Sequence, residues 1–119
     1  MTHDVQLNLV VIRSADIERA AAFYRLLGLD FVKHAHGSGS EHFSSKLDQA
    51  TFEIYPRRGG SDSTIGTRLG FCIASLDVTV TKLQKAGARI VSLPKESPWG
   101  RRAIVDDPDG HRVELTELK

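Results

Sequence analysis

Only one of the 119 residues is a cysteine, Cys72. That excludes an internal disulfide and a cysteine-rich zinc site, both of which need at least two thiols, and it suits a reducing compartment. Long apolar runs are missing as well. No stretch approaches the roughly 20 residues that a membrane-spanning helix requires. The segment from Met1 to Val11 carries no basic start followed by an apolar signal core. The expectation is a cytoplasmic protein without a membrane partner. Excess charge of one sign is scarce too, because 16 Lys+Arg against 15 Asp+Glu leave a formal charge of +1. The densest basic spots, Arg57-Arg58 and Arg101-Arg102, are pairs of a size usually found on solvated surface, so nucleic acid is not an expected partner.

What is present points to a folded chain. With 40% hydrophobic and 26% charged residues the composition is globular, and the length suits one domain over residues 1–119.

Within that length the chain repeats itself. An apolar strand runs into an Asp both from Leu9 to Asp16 and from Phe71 to Asp77. Helical spacing follows each time: Ile17, Ala20, Tyr24 and Leu27 up to Gly28, then Val78, Val80 and Leu83 up to Gly87. Asp supplies an acceptor for the orphan amides of a first turn, and Gly tolerates the left-handed conformation that closes a helix. Strand signals come next, at residues 30–35, 42–47 and 51–55 in the first half and at 89–92, 102–106 and 112–116 in the second. Offsets are 62 for Leu9 and Phe71, 61 for Asp16 and Asp77, 59 for Gly28 and Gly87, and 61 for Glu53 and Glu114. So nearly constant an offset indicates duplication. The first module covers about residues 5–58, the second about 68–118, with the Gly/Ser/Thr-rich residues 59–67 as linker.

Neighbouring strand residues face opposite sides, so Phe52 and Ile54 share one face and Glu53 and Tyr55 the other. Val113 and Leu115 stand against Glu114 and Thr116 in the same way. A helix needs a sheet to pack on, which makes the apolar face the helix face. Val10 and Ile12 join that face and leave Leu9 and Val11 opposite. The offset of 62 assigns Phe71 and Ile73 to the face of Leu9, and Cys72 to the helix side as a small buried hydrophobe. Asp107-Pro108-Asp109-Gly110 fits a type I turn with a glycine bulge. It pairs Val105 with Val113, Ala103 with Leu115, Ile104 with Glu114 and Arg102 with Thr116, bringing Arg102 to the side of Glu114.

The strand-Asp-helix start with Ala22-Phe23-Tyr24 and Leu27-Gly28, its echo at Ala86-Gly87, and the run from Asp107 to Leu115 together resemble the glyoxalase/bleomycin resistance protein/extradiol dioxygenase (vicinal oxygen chelate) superfamily. The resemblance spans nearly the whole chain. It implies an α+β fold of two tandem βαβββ modules forming a concave eight-stranded mixed sheet with helices outside. It also implies a homodimer, in which cavities are often built from modules of two chains. Metal-using members hold one divalent ion at four positions, which fall here on Leu9, Glu53, Phe71 and Glu114. Leu and Phe have no lone pair to offer, and two carboxylates fall short of the three or four protein ligands such sites need.

The function expected on this basis is metal-independent binding of a small organic molecule, such as an antibiotic or other toxic compound, with no cofactor and no assigned catalytic residue. Leu9, Phe71 and Trp99 would give apolar contact; Glu53, Glu114 and Arg102 would orient the ligand, and Tyr55 would donate a hydrogen bond. Trp99 beside Arg102 suits stacking on a planar ligand, and equally a packed rim residue. The alternative is a divalent-metal-dependent lyase or dioxygenase that uses His42, Glu53 and Glu114, His being the commonest metal ligand at neutral pH. His34, His36 and His111 are also available; His3 and His111 read as surface. A third possibility is an accessory domain without a ligand.

Overall fold

The computed structural model describes residues 4–35, 37 and 39–119, so His3 and His36 lie outside the described residues. The first half runs β1 (Leu9–Ser14), α1 (Ile17–Leu27), β2 (Val32–His34), β3 (His42–Leu47) and β4 (Ala50–Pro56). The second half repeats the order with β5 (Arg68–Ile73), α2 (Leu76–Lys85), β6 (Arg89–Lys95), β7 (Arg102–Asp106) and β8 (Arg112–Glu117).

Two different devices start the two helices. The Asp16 carboxylate accepts from the Arg19 amide at 3.1 Å, and Gly28, at φ 113°, closes α1. In α2 the capping position is Ser75, whose side chain makes no capping bond; the Leu76 amide instead donates to Glu117 of β8 at 2.9 Å. Asp77 therefore does not cap α2 as the repeat suggested. It lies in the first turn, where Arg101 holds it at 2.9 Å and keeps its carboxyl below the usual carboxylate value.

The eight strands form two four-stranded mixed sheets of identical topology, β1-β4-β3-β2 and β5-β8-β7-β6. In each, the first strand pairs parallel with the last and the remaining pairs are antiparallel. The β7–β8 hairpin has the register that its turn chemistry predicts, with Val105 opposite Val113 and Ile104 opposite Glu114.

One core unites the halves. Ile12, Phe52, Ile54, Ile73, Val105, Val113 and Leu115 from the two sheets and Tyr24, Leu27, Leu76, Val80 and Leu83 from the helices are buried. α1 packs on β1, β3, β4 and α2, while α2 packs on β6, β7 and β8. At the centre the Tyr24 ring meets Phe23, Phe52 and Phe71 edge-on or tilted, with centroids 4.9, 5.0 and 5.9 Å away. Each such side chain contributes roughly 1.5–3 kcal/mol on burial.

This core corrects the placement of Phe71. Phe71 packs against Tyr24 and Phe52, on the helix side of β5 with Ile73, and Cys72 is exposed on the opposite face. The offset of β1 and β5 is 59, the value shared by Gly28/Gly87, because Val11 lies level with Glu53 and Gly70 with Glu114; it matches Ile12 with Phe71 and Leu9 with Arg68. A slip by an odd number of residues, here three, carries every side chain of a strand to the other face.

His111 is not a surface residue either. It is fully buried, with Nδ1 2.8 Å from Asp107 and Nε2 2.7 Å from the Thr64 hydroxyl. The Asp107 carboxylate also accepts from the Tyr24 hydroxyl at 2.6 Å, while Thr64 accepts from the Arg13 amide. The network thus ties β1, α1, the linker and the β7–β8 turn together. No helix among the described residues is long and apolar enough to cross a membrane.

Candidate ligand-binding site

Strand alternation gives each sheet an outer face of mixed chemistry. On the first sheet, register aligns two rows across all four strands. Val11, Glu53, Ser44 and Val32 form one row. In the other, His34 stacks on His42 at 5.3 Å, His42 lies nearly parallel to Tyr55 at 4.2 Å and 7°, and the Arg13 guanidinium sits 5.2 Å from the Tyr55 ring. The stack buries His42 to 6% exposure, so it is no surface histidine although it lies on an outer face. Glu53 retains 18% of its side chain exposed. It accepts a 2.6 Å hydrogen bond from Ser44, and His42 Nε2 stands 3.8 Å away. Leu9, half exposed, is on the same face, level with Thr51.

On the second sheet, Glu114 is held on both oxygens. Arg68 donates to one at 2.6 Å and Arg102 to the other at 2.5 Å. The Arg102 guanidinium also lies 5.5 Å from the ring of Trp99, which is 72% exposed. The residue level with Glu114 on β5 is Gly70, which has no side chain to contribute. Arg68 was missed from the sequence, although it lies two residues before Gly70 and alternation alone would have put it on this face.

Of the residues expected to act together, the structure groups Glu53 with His42, Tyr55 and Leu9 on one sheet, and Glu114 with Arg102 and Trp99 on the other. Phe71 belongs to the core. His42, Glu53 and Glu114 do not converge within this chain. Among the described residues, Asp107, Asp109 and His111 are the group of three or more potential ligands whose atoms lie within 4.8 Å of one another. Most of their polar atoms serve the network just described: Asp107 accepts from the Asp109, Gly110 and His111 amides, and Asp109 Oδ1 from that of Ala15, while Asp109 Oδ2 is buried with no hydrogen-bond partner among the described residues.

The family model for the Glyoxalase/Bleomycin resistance protein/Dioxygenase superfamily matches residues 6–115. The chain belongs to this superfamily. None of the curated proteins matches it. Among solved structures, it is similar to TnmS3, an antibiotic binding protein from Streptomyces sp. CB03234, at 23% identity and a TM-score of 0.74, with 100% of each chain covered. Oxidase ChaP-H2 aligns at 19% identity and a TM-score of 0.76 over 98% of this chain and 96% of that one. TioX from Micromonospora sp. ML1 aligns at 20% and 0.69 over 95% and 98%. At these identities the likeness is one of fold.

The divalent ion of the metal-using superfamily members does not fit the residues present. The first strands offer Leu9 or Val11 and Gly70 or Cys72, which include no imidazole or carboxylate. On the last strands, Glu114 is already bound by two guanidiniums that a metal would have to displace. A d-block ion needs three or four protein donors.

Proposed function

We propose that this superfamily member binds a small organic molecule, an antibiotic-like or otherwise toxic compound among them, without a metal, on the outer faces carrying Glu53 and Glu114. The observation that supports this most is the double engagement of Glu114 by Arg68 and Arg102 in a site whose first strands lack imidazole and carboxylate donors. The two faces keep Glu53 and Glu114 in hydrogen bonds while Leu9 and Val11 on the first and Trp99 beside the second remain exposed for apolar contact. Similarity in fold to an antibiotic binding protein agrees with this. The two faces belong to separate sheets, and we propose that a homodimer brings Glu53 of one copy and Glu114 of another to one cavity.

Elemental analysis of protein purified without a histidine tag is the first test. Less than one tenth of a divalent metal per chain is expected, with the content unchanged in Glu53→Ala. A stoichiometric metal lost on that substitution would establish the alternative, a metal-dependent lyase or dioxygenase using His42, Glu53 and Glu114. Quenching or enhancement of Trp99 fluorescence across a panel of planar aromatic compounds then tests binding itself. An unresponsive Trp99 together with no calorimetric heat for any of the panel would leave an accessory domain as the better description.

A further inference from the structure

The outer face of the second sheet is built around two arginine-carboxylate-arginine triads. Glu114 lies between Arg68 and Arg102. Asp106 lies between Arg112 at 3.2 Å and Arg89 at 3.8 Å. The side chains come from alternate positions of β5, β8, β7 and β6, so four guanidiniums and two carboxylates share one face. Two positive charges stand in excess there, in a chain whose overall formal charge is +1. The surplus is local to this sheet.

The first triad also has donors to spare. A guanidinium offers five N–H groups in a planar fork. Arg68 and Arg102 each spend one on Glu114, and the others make no further hydrogen bond among the described residues. Arg102 is only 22% exposed, which ranks it as a held group rather than a waving surface chain, and the exposed Trp99 ring lies against it. Guanidinium matches carboxylate geometry two N–H groups at a time. Next to it, the indole provides a flat apolar surface.

We infer that the ligand class of this site is a planar aromatic compound bearing a carboxylate, its ring on Trp99 and its oxygens on the free N–H groups of Arg102 and Arg68. This rests on the proposed binding function and adds the sign of charge the ligand carries. Glu114 then acts as the positioning residue that holds the two forks together, and it sets the affinity by competing with the incoming carboxylate for them.

The test uses 1-hydroxy-2-naphthoate and its neutral amide, with Trp99 fluorescence and calorimetry on the full chain. The acid should bind at least about tenfold more tightly than the amide, given the usual strength of a charge-assisted hydrogen bond, and the preference should shrink as salt rises. Arg102→Gln should abolish the preference, so that acid and amide bind with the same affinity. Glu114→Gln should tighten acid binding by releasing both guanidiniums, whereas a site selecting cations through Glu114 would lose affinity. Equal affinity for acid and amide, or weaker acid binding in Glu114→Gln, overturns the carboxylate class and leaves small-molecule binding standing. Failure of both compounds and of the wider aromatic panel overturns both. Circular dichroism of each variant separates loss of the fold from loss of the ligand contact.

Discussion

The Asp107 side chain accepts from the Tyr24 hydroxyl, the His111 ring and the Asp109, Gly110 and His111 amides. Burial alone would raise its carboxyl pKa, but the hydrogen bonds from His111 and Tyr24 outweigh that and hold it below the usual carboxylate value. Burial, and then the charge of Asp107, push the Tyr24 phenol the other way, upward, so it stays a hydrogen-bond donor. A carboxyl whose native pKa is depressed contributes its stability fully above the unfolded value of about 3.9. That contribution is lost as pH falls through the lower native value. Urea midpoints should therefore decline on acidification from about pH 5, and Asp107→Asn should make that decline shallower while lowering stability at pH 7. Tyr24→Phe keeps the ring packing and removes one of the two side-chain donors to a buried carboxylate, which should cost roughly 1–3 kcal/mol by urea denaturation. An unchanged midpoint would show that the 2.6 Å bond contributes nothing net. None of this was legible from spacing. The Asp107-Pro108-Asp109-Gly110 turn was, but Tyr24 lies 83 residues from Asp107, and His111 reaches Thr64, 47 residues from that histidine.

At the scale of elements, the duplicated sequence and the duplicated structure part company at the helix starts. Asp16 caps α1 with its own carboxylate, but Ser75 makes no such bond and Glu117 reaches across from β8 to the Leu76 amide. Asp16→Ala should then cost about 1 kcal/mol. Ser75→Ala should be close to neutral. Glu117→Ala should match Asp16→Ala in size, although it lies 41 residues from the amide it serves. Thermal melts of the three variants decide this, and a Ser75→Ala loss as large as that of Glu117→Ala would contradict it. Strands were read well because alternation is a local signal: β3, β7 and the hairpin register agree with the positions expected from the sequence. The error at β5 has an equally local cause. Leu69-Gly70-Phe71-Cys72-Ile73 is apolar or small throughout, so polarity does not mark its faces. Only the offset of 59 carried by Gly28 and Gly87 could have shown that Phe71 corresponds to Ile12 rather than Leu9. That slip moved one supposed ligand contact into the core and concealed Arg68.

For the whole molecule, the two sheets share one core but keep Glu53 and Glu114 on separate outer faces, and that separation makes assembly decisive. Val5, Leu7, Leu9 and Val11 occupy alternate positions on the approach to and along β1, with exposures falling from 84% to 36%. Leu93, Trp99 and Leu118 are more than half exposed at the other end of the chain. Apolar side chains in such a row are unusual on a monomer that stays monomeric. A second copy of the chain would remove them from water, each fully covered Leu or Val contributing roughly 1.5–3 kcal/mol. Light scattering on a sizing column should give twice the 13.1 kDa of one chain at micromolar concentration. Leu7→Glu places a charge in the stripe without touching the core, since Leu7 is 72% exposed, and should shift the population toward monomer. Because the proposed cavity takes Glu53 from one copy and Glu114 from another, that variant should also lose ligand-induced changes in Trp99 fluorescence while its circular dichroism stays unchanged. A monomeric Leu7→Glu that still binds with full affinity would instead place the complete site within one chain.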